Sequence, residues 1–219
     1  MSAHPEVRCE RVGIYGGTFD PIHVGHLRVA SVVKETLAID RVIFVPARQS
    51  PHKDEPTASV THRVAMVRLA VSRLAWASVS TLEAELPPPS FTVDTLRMLA
   101  LTLGRSKLFL IVGADVLAEF VYWRMPEAIL ELATLVAVGR PGSVLEMPPA
   151  LAELTRADPT RVLLVRCQTP DVSSRDIRSL IREGAAVSTF LPREVAAYVA
   201  AHSLYRGPAS PAGEPSAGP

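Results

Sequence analysis

Residues 12–26 read VGIYGGTFDPIHVGH. The short β-branched run that stops at Gly16 and Gly17 predicts a strand that ends in a tight turn. Glycine has no Cβ, so a ligand can approach the backbone closely at such a turn. The apolar periodicity of residues 24–37 predicts a helix, and a strand, a glycine-rich turn and a helix N-terminus together present backbone N–H groups to a phosphate. We therefore predict a phosphate-binding turn at this point of the chain.

Two histidines complete this stretch. His23 and His26 are three residues apart, so on a helix they share a face, and both can donate hydrogen bonds to phosphate oxygens. A zinc site needs four nitrogen or sulfur ligands and none lies nearby, so we expect no metal held by side chains. An ordinary buried turn would explain the glycines but not two histidines beside Asp20. The G-x-G-x-x-G fingerprint and the P-loop are both absent, which indicates a phosphate binder of another kind.

The composition is that of a globular protein with a substantial core. The chain has 219 residues, of which 48% are hydrophobic and 21% charged, and this length predicts one domain. The net charge of +1 gives no overall field toward nucleic acid or membrane, so binding of a polyphosphate has to be local. The aromatic content of 5% offers no platform for stacking nucleic-acid bases.

The ends and the cysteines predict a soluble cytoplasmic protein. Residues 1–8 contain no apolar core of a secretory signal. The most apolar run, residues 108–121, is interrupted by charges and is too short to span a bilayer. Without a signal peptide, Cys9 and Cys167 are expected to be reduced thiols rather than a disulfide.

Strand-like and helical patterns alternate along the chain. Apolar runs of strand type occur at 11–16, 41–46, 107–113, 134–139 and 161–167, with a weaker one at 78–83. Helical patterns lie between them at 24–38, 59–75, 92–103 and 114–132, the last broken at Pro126. This alternation predicts an α/β fold, a Rossmann-like doubly wound parallel sheet with helices on both faces. Ligands bind such sheets at the carboxyl ends of the strands, where the Gly16-Gly17 turn and Gly113 fall.

The remaining segments divide the chain into one domain and a tail. Residues 47–58 are polar and rich in proline, which predicts a mobile surface loop. Helices are expected over about 173–206, with Gly184 and Pro192 separating two of them. Residues 207–219 are Pro, Gly, Ala and Ser with one charge, so we predict a disordered tail after a single domain over residues 1–206.

A second candidate phosphate site lies at residues 172–178, VSSRDIR. Hydroxyls at a helix start are commonly caps. A helix N-terminus with two hydroxyls, Ser173 and Ser174, and with Arg178 one turn later also suits a triphosphate. On the residues alone the two interpretations are about equal.

Several of these motifs together resemble one family. His23-Val24-Gly25-His26 resembles the H-x-G-H signature of the nucleotidyltransferase superfamily, and the eleven residues 16–26 are similar to the bacterial nicotinate-nucleotide adenylyltransferases. Residues 172–178 resemble the I-S-S-T-x-I-R motif of the superfamily, which favours the triphosphate clamp. Arg175 stands where that pattern has Thr, so a hydroxyl is lost and a charge gained. The resemblance extends from about residue 13 to residue 206.

The resemblance implies roles for individual residues. It places His23, His26 and Arg178 at the catalytic centre, and Asp115 on the ribose of ATP. The residues implied in ATP binding are Gly16, Gly17, Thr18, Phe19, His23, His26, Gly113, Asp115, Arg140, Ser173, Ser174, Ile177 and Arg178.

On the acceptor side, Phe91 and Thr92 match the segment whose backbone amides hold the nicotinate carboxylate. Phe91 stands where Tyr is common, so that hydroxyl is missing. Trp123 is implied in stacking on the pyridine ring, although for an isolated tryptophan a half-buried packing role is the simpler interpretation. His52 and Lys53 resemble a loop that closes over the phosphates.

The function implied is transfer of the adenylyl group of ATP, bound with Mg²⁺, to nicotinate mononucleotide. A related enzyme such as phosphopantetheine adenylyltransferase, and a regulator that binds nucleotide without turnover, are the alternatives. Neither nucleic acid nor membrane is an expected partner. The sequence leaves open the oligomeric state, a homo-oligomer included, the degree of nicotinate preference and the role of Arg175.

Overall fold

The computed structural model describes residues 9–49 and 56–206, and within them the chain forms one six-stranded parallel sheet. The strand order is β3-β2-β1-β4-β5-β6, and every neighbouring pair is parallel. The strands are β1 Arg11–Gly17, β2 Arg41–Pro46, β3 Ala77–Val79, β4 Lys107–Gly113, β5 Ala133–Gly139 and β6 Val162–Arg166. This is the strand order of the doubly wound nucleotide-binding folds, as the sequence predicts.

The helices connect the strands and extend beyond the last one. They are α1 Val24–Thr36, α2 Val60–Val71, α3 Leu82–Glu85, α4 Thr92–Leu103, α5 Pro126–Leu132, α6 Pro149–Leu154, α7 Ser174–Arg182 and α8 Arg193–Ala201. None of these helices is long and apolar enough to cross a membrane.

Alternate residues of the strands face two separate cores. Along β1, Ile14 faces a core that α4 and α5 cover, whereas Tyr15 faces a core that α1, α2, α7 and α8 cover. Successive side chains of a strand point to opposite faces of a sheet, so a strand buried on both sides needs a nearly continuous apolar run. The buried residues 12–15 provide that run in β1. The predicted coverage of both faces is confirmed.

The position of β1 fixes where a ligand can bind. This strand pairs with β2 on one side and with β4 on the other, so the direction of winding reverses between β1 and β4. A crevice opens at the carboxyl ends of two strands from which the chain departs to opposite faces. The turn after Gly17 and the turn after Gly113 both lie at this crevice.

The structure differs from the predicted elements at three places. The weak strand predicted at 78–83 ends at Val79, and α3 begins three residues later. The predicted break at Pro126 is confirmed, since α5 starts there and proline fits the first turn of a helix but disrupts its interior. The part of the predicted helix before it differs, because it forms two short 3₁₀ turns, Ala114–Val116 and Phe120–Tyr122. The sequence patterns also missed α6. The predicted tail at 207–219 lies outside the described residues.

Candidate active site at the carboxyl edge of the sheet

The two histidines of the H-x-G-H stretch are held by the backbone of the turn between β1 and α1. His23 is the N-cap of α1, and its Nδ1 accepts a hydrogen bond from the Gly25 N–H at 3.2 Å. The Nδ1 of His26 accepts from the His23 N–H, also at 3.2 Å. This reciprocal pair is a capping box, and it brings the ring centroids to 3.8 Å from each other.

These bonds assign the proton of each imidazole. A neutral imidazole has one acceptor nitrogen and one N–H donor, so an Nδ1 that accepts leaves the proton on Nε2. His23 is 1% exposed, and burial, together with the charge of Arg140, lowers the pKa of His23 to about 4. At neutral pH His23 is therefore an uncharged Nε2–H donor. Positive charge for a phosphate has to come from elsewhere.

Phe19 packs its ring against the imidazole of His26. Its backbone is left-handed, with φ of 49°, and its ring is buried against Tyr15 and His26 at centroid distances of 5.6 and 5.1 Å. The Phe19 side chain is therefore part of the aromatic layer under the turn. Its predicted role in ATP binding stays a prediction.

Asp20 is the most connected side chain of the turn. Although it is 4% exposed, its Oδ2 accepts from the Thr57 N–H at 2.7 Å, and its Oδ1 accepts from the Ala58 N–H at 3.1 Å and the Tyr205 hydroxyl at 2.7 Å. Arg178 donates from Nη1 to the Asp20 carbonyl oxygen at 2.7 Å and lies 3.8 Å from Oδ2. In the sequence Asp20 stands beside the histidines, but no pattern there predicts these contacts.

Arg63 is a second connecting residue that the sequence analysis missed. It is 1% exposed, and its guanidinium donates to four backbone carbonyl oxygens, those of Thr18, Ala47, Arg48 and Ala58, at 2.6 to 3.1 Å. It therefore joins the β1 turn to the segment that follows β2 and to the approach to α2. The available signal was a charged residue on the apolar face of a predicted helix, next to Val64 and Val67.

The start of α7 contacts the same turn. Ser173 forms a capping box with Asp176, in which the Ser173 Oγ accepts from the Asp176 N–H at 3.2 Å. The Ser174 hydroxyl donates to the Pro21 carbonyl oxygen at 3.0 Å. The capping interpretation is thus confirmed for Ser173. Both predicted hydroxyls have partners within the chain, and any binding of triphosphate by them stays a prediction.

Two other residues of α7 differ in their surroundings. Ile177 is fully buried in the core, and its N–H donates to the Ser173 carbonyl oxygen. Packing is the role that the structure gives it, and its predicted contact with ATP is untested. Arg175, whose role the sequence leaves open, is exposed at the surface.

The second turn at the crevice follows β4. The carboxylate of Asp115 folds back over Gly113, so a Cβ at position 113 would collide with it. Arg140, at the end of β5, lies on the same edge. Its charge and that of Asp115 both act on the pKa of buried Tyr15, which burial raises. The structure therefore gathers the predicted residues Gly113, Asp115 and Arg140 around the end of β1.

The start of α4 forms the acceptor side of the candidate site. Phe91 is the N-cap of α4, and its side chain makes no capping bond, which suits a role for the backbone N–H groups. The guanidinium of Arg124 lies 4.6 Å above the Phe91 ring. Trp123 precedes it and packs on Phe120 at 5.4 Å between ring centroids. The structure thus brings the segment of Trp123 next to Phe91 and Thr92.

Some predicted residues are not placed. His52 and Lys53 lie outside the described residues. Within residues 9–49 and 56–206, no group of three or more His, Cys, Asp or Glu side chains could hold a metal ion. Cys9 and Cys167 are both free thiols.

Comparison with known proteins gives consistent findings. The cytidylyltransferase-like family matches residues 14–180. A probable nicotinate-nucleotide adenylyltransferase of Roseiflexus sp. (strain RS-1) is 43% identical over 196 residues, which are 89% of this chain and 98% of the relative. A protein of the same name from Thermus thermophilus is 43% identical over 198 residues, 90% of this chain and 100% of the relative.

Solved structures share the fold at lower identity. The nicotinic acid mononucleotide adenylyltransferase of Plasmodium falciparum, in complex with NaAD, superposes with a TM-score of 0.68 over 90% of this chain and 97% of its own, at 17% identity. The same protein in complex with APC gives a TM-score of 0.67 at 16% identity. At this identity the likeness shows the fold alone.

Proposed function

The chain belongs to the family of the nicotinate-nucleotide adenylyltransferases, and we propose from this that it transfers the adenylyl group of ATP to nicotinate mononucleotide. The products are deamido-NAD and pyrophosphate, and the reaction belongs to NAD biosynthesis. The observation that carries the assignment to this site is the convergence of His23, His26 and Arg178 on one turn at the carboxyl edge of the sheet. We also propose that the reaction takes place in the cytoplasm.

The chemistry needs no side chain as a general base. A phosphate monoester has a second pKa of about 6, so the phosphate of the mononucleotide is mostly dianionic at neutral pH. One of its oxygens forms a bond to the α-phosphorus of ATP, and the bond from that phosphorus to the bridging oxygen of the β-phosphate breaks. The electron pair leaves with pyrophosphate. Catalysis then consists of alignment and of stabilising the charge on the α-phosphate.

The turn residues serve this alignment. The Nε2–H groups of His23 and His26 donate hydrogen bonds to phosphate oxygens as neutral donors, and Arg178 contributes the positive charge. The backbone of residues 16–19 and the start of α7, with Ser173 and Ser174, line the path of the triphosphate. Asp115 receives the ribose hydroxyls, and Arg140 lies beside the adenine.

The acceptor binds at the start of α4. The N–H groups of Phe91 and Thr92 hold the nicotinate carboxylate, which is also favoured by the positive end of the helix dipole. Trp123 stacks on the pyridine ring, and His52 and Lys53 contact the phosphates. The role of Trp123 is supported by the contact of the Arg124 guanidinium with the Phe91 ring, which keeps the tryptophan segment next to the helix start.

Mg²⁺ enters with ATP as part of the substrate. It prefers phosphate oxygens and water to an all-protein cage. We also propose that residues 1–206 act as one domain, since the sheet is formed from segments that span β1 to β6.

The test is an acceptor panel. The protein is incubated with Mg-ATP and with nicotinate mononucleotide, nicotinamide mononucleotide or phosphopantetheine, and both pyrophosphate and the adenylylated product are measured. We expect product with nicotinate mononucleotide and none with phosphopantetheine. Product with phosphopantetheine alone would assign a different acceptor. Binding of ATP without pyrophosphate release from any acceptor would identify a nucleotide-binding regulator.

A further inference from the structure

Three distant segments of the chain meet at one buried carboxylate. Asp20 belongs to the β1 turn, Thr57 and Ala58 precede α2, and Tyr205 follows α8, 185 residues after Asp20. Arg178 of α7 contacts both the carbonyl oxygen and the carboxylate of Asp20. None of the site roles derived above uses this carboxylate.

The partners of Asp20 are all donors. Oδ1 accepts from the Ala58 N–H and the Tyr205 O–H, and Oδ2 accepts from the Thr57 N–H and lies 3.8 Å from the Arg178 guanidinium. An ionised carboxylate is an acceptor only, so it satisfies each of these groups. An asparagine would turn an NH₂ toward the donors on one side of the group. A charge at this depth is tolerated only when it is paired and hydrogen-bonded, as it is here.

We propose that Asp20 is a positioning residue that sets the guanidinium of Arg178 for the triphosphate of ATP. The proposal rests on the proposed function of Arg178. A guanidinium carries five N–H donors in one plane. Its Nη1 is held by the backbone carbonyl oxygen of Asp20 at 2.7 Å and lies 3.8 Å from the carboxylate, and the two contacts together fix the direction of the whole fork. The Arg178 side chain is 24% exposed, so part of it remains accessible to a ligand.

The same contacts fix the chain on either side of residues 50–55. Arg63 binds the carbonyl oxygens of Ala47 and Arg48 before this segment, and Asp20 binds the N–H groups of Thr57 and Ala58 after it. The described residues on both sides of this segment are thereby joined to the turn that holds the histidines. Loss of the carboxylate charge removes the ion pair with Arg178 and weakens the bonds at the second end, while the hydrogen bond from Arg178 to the backbone carbonyl oxygen of Asp20 stays.

The experiment is a double-mutant cycle on Asp20 and Arg178. The wild type, Asp20→Asn, Arg178→Ala and the double variant are compared for kcat and for KM of both substrates. We expect Asp20→Asn to lower kcat/KM for ATP by about tenfold to a hundredfold, because a displacement of an aligning group by about 1 Å has effects of that size. In the Arg178→Ala background the same change should lower it less than about threefold, and the KM of the mononucleotide should stay nearly constant in all four proteins.

Two further variants separate positioning from folding. Tyr205→Phe removes one donor from the carboxylate and leaves the rest of the site in place, so we expect a smaller loss of the same kind in kcat/KM for ATP. Asp40→Asn is the matched control, since Asp40 accepts from the Arg11 N–H at 2.8 Å at the opposite edge of the sheet. It should lower the melting temperature without changing either KM.

The outcomes are distinguishable. If Asp20→Asn lowers kcat/KM by the same factor with and without Arg178, or lowers only the melting temperature, the positioning role is wrong. If the wild type transfers no adenylyl group, the proposed function fails instead. In that case the affinity for ATP is measured by titration calorimetry in the same four proteins. If the losses of affinity from the two single changes simply add in the double variant, the proposal is also wrong.

Discussion

The imidazole of His23 occupies the space in which any side chain at position 25 would begin. A Cβ on Gly25 would lie 3.0 Å from two atoms of that ring, which is closer than ordinary van der Waals contact. The glycine of the H-x-G-H stretch is therefore required by the histidine two residues before it. Gly25 also donates the N–H that fixes the His23 tautomer, so one residue provides both the space and the orientation.

The first prediction concerns His23 in catalysis. We expect His23→Ala to lower kcat about 10²–10³-fold with little change in the KM of the mononucleotide, because loss of one donor to the transition state has effects of this size. Steady-state kinetics at neutral pH measures it, and circular dichroism checks that the variant is folded. Full activity in a folded variant would remove His23 from the catalytic centre.

The second prediction concerns the same residue and pH. The pKa of His23 in the folded protein is about 4, below its ordinary value of 6.5, so the unfolded chain binds a proton more readily. The neutral histidine therefore contributes stability that is complete above pH 6.5 and is lost as the pH falls toward 4, roughly 3 kcal/mol in all. Urea unfolding between pH 4 and 7 should show a flatter dependence for His23→Asn than for the wild type. Parallel curves would contradict the shift.

The third prediction ranks the two arginines of α7. Arg178→Ala should lower kcat/KM for ATP by about tenfold to a hundredfold, which corresponds to the loss of a charge-assisted hydrogen bond. Arg175→Ala should change it less than about twofold, because Arg175 is exposed. Both variants are assayed under identical conditions. Equal losses would mean that both arginines hold the phosphates.

At the scale of the element, the start of α4 offers a way to remove a single N–H group. Thr92 is the first residue of the helix, and Phe91 before it has an extended backbone with φ of −105° and ψ of 128°. Proline is well tolerated at the first helical position, and it requires an extended residue before it. Thr92→Pro should therefore keep the helix and remove one donor from the proposed carboxylate site.

The fourth prediction uses this variant. We expect Thr92→Pro to lower kcat/KM for nicotinate mononucleotide about tenfold to a hundredfold, and to change that for nicotinamide mononucleotide much less, because a carboxylate accepts only and a carboxamide does not. Thr92→Ala, which keeps the N–H, is the control and should retain the preference. If Thr92→Pro lowers kcat/KM equally for both mononucleotides, the carboxylate is bound elsewhere.

The short helix α3, which precedes α4, contains a buried acid whose ionisation opposes folding. Glu83 of α3 is buried below α4, and burial raises its pKa, while the Thr95 hydroxyl donates to its Oε1 at 2.6 Å and lowers it. The folded protein therefore holds this proton more tightly than the unfolded chain does. Stability from this group is complete below its ordinary pKa of 4.5 and decreases as the pH rises through the folded pKa.

The fifth prediction follows for Glu83→Gln. This variant has no proton to lose, so its free energy of unfolding, relative to the wild type, should rise with pH above 4.5 and then level off. Urea unfolding at several pH values measures the difference. Glu85→Gln, an exposed change on the same short helix, is measured beside it as the control. A constant difference for Glu83→Gln would mean that this carboxyl is not perturbed.

At the scale of the molecule, the fold was predictable because its signals are local. The buried strands β1, β2, β4, β5 and β6 are continuous apolar runs, and their alternation with helices sets the doubly wound sheet. The His23 and His26 turn and the start of α7 were also predictable, since each is a short motif. The 3₁₀ turns after β4 were not, because short 3₁₀ turns give an apolar spacing that is easily taken for the start of an α-helix.

The contacts of Asp20, Arg63 and Tyr205 were beyond sequence patterns for a physical reason. They join residues that are 37, 45 and 185 positions apart, and no periodicity relates such positions. Only a charged residue on an apolar helix face, at Arg63, gave a local hint. Side chains that hold a site together are thus harder to predict than the side chains that form it.

The hydrogen bond between Tyr205 and Asp20 also has a consequence for folding during translation. During translation the phenol that completes the Asp20 cluster is made only 185 residues after Asp20 itself. Such a late, long-range closure adds to the contact order of the fold. A nascent or prematurely ended chain therefore carries the motif without its finished support.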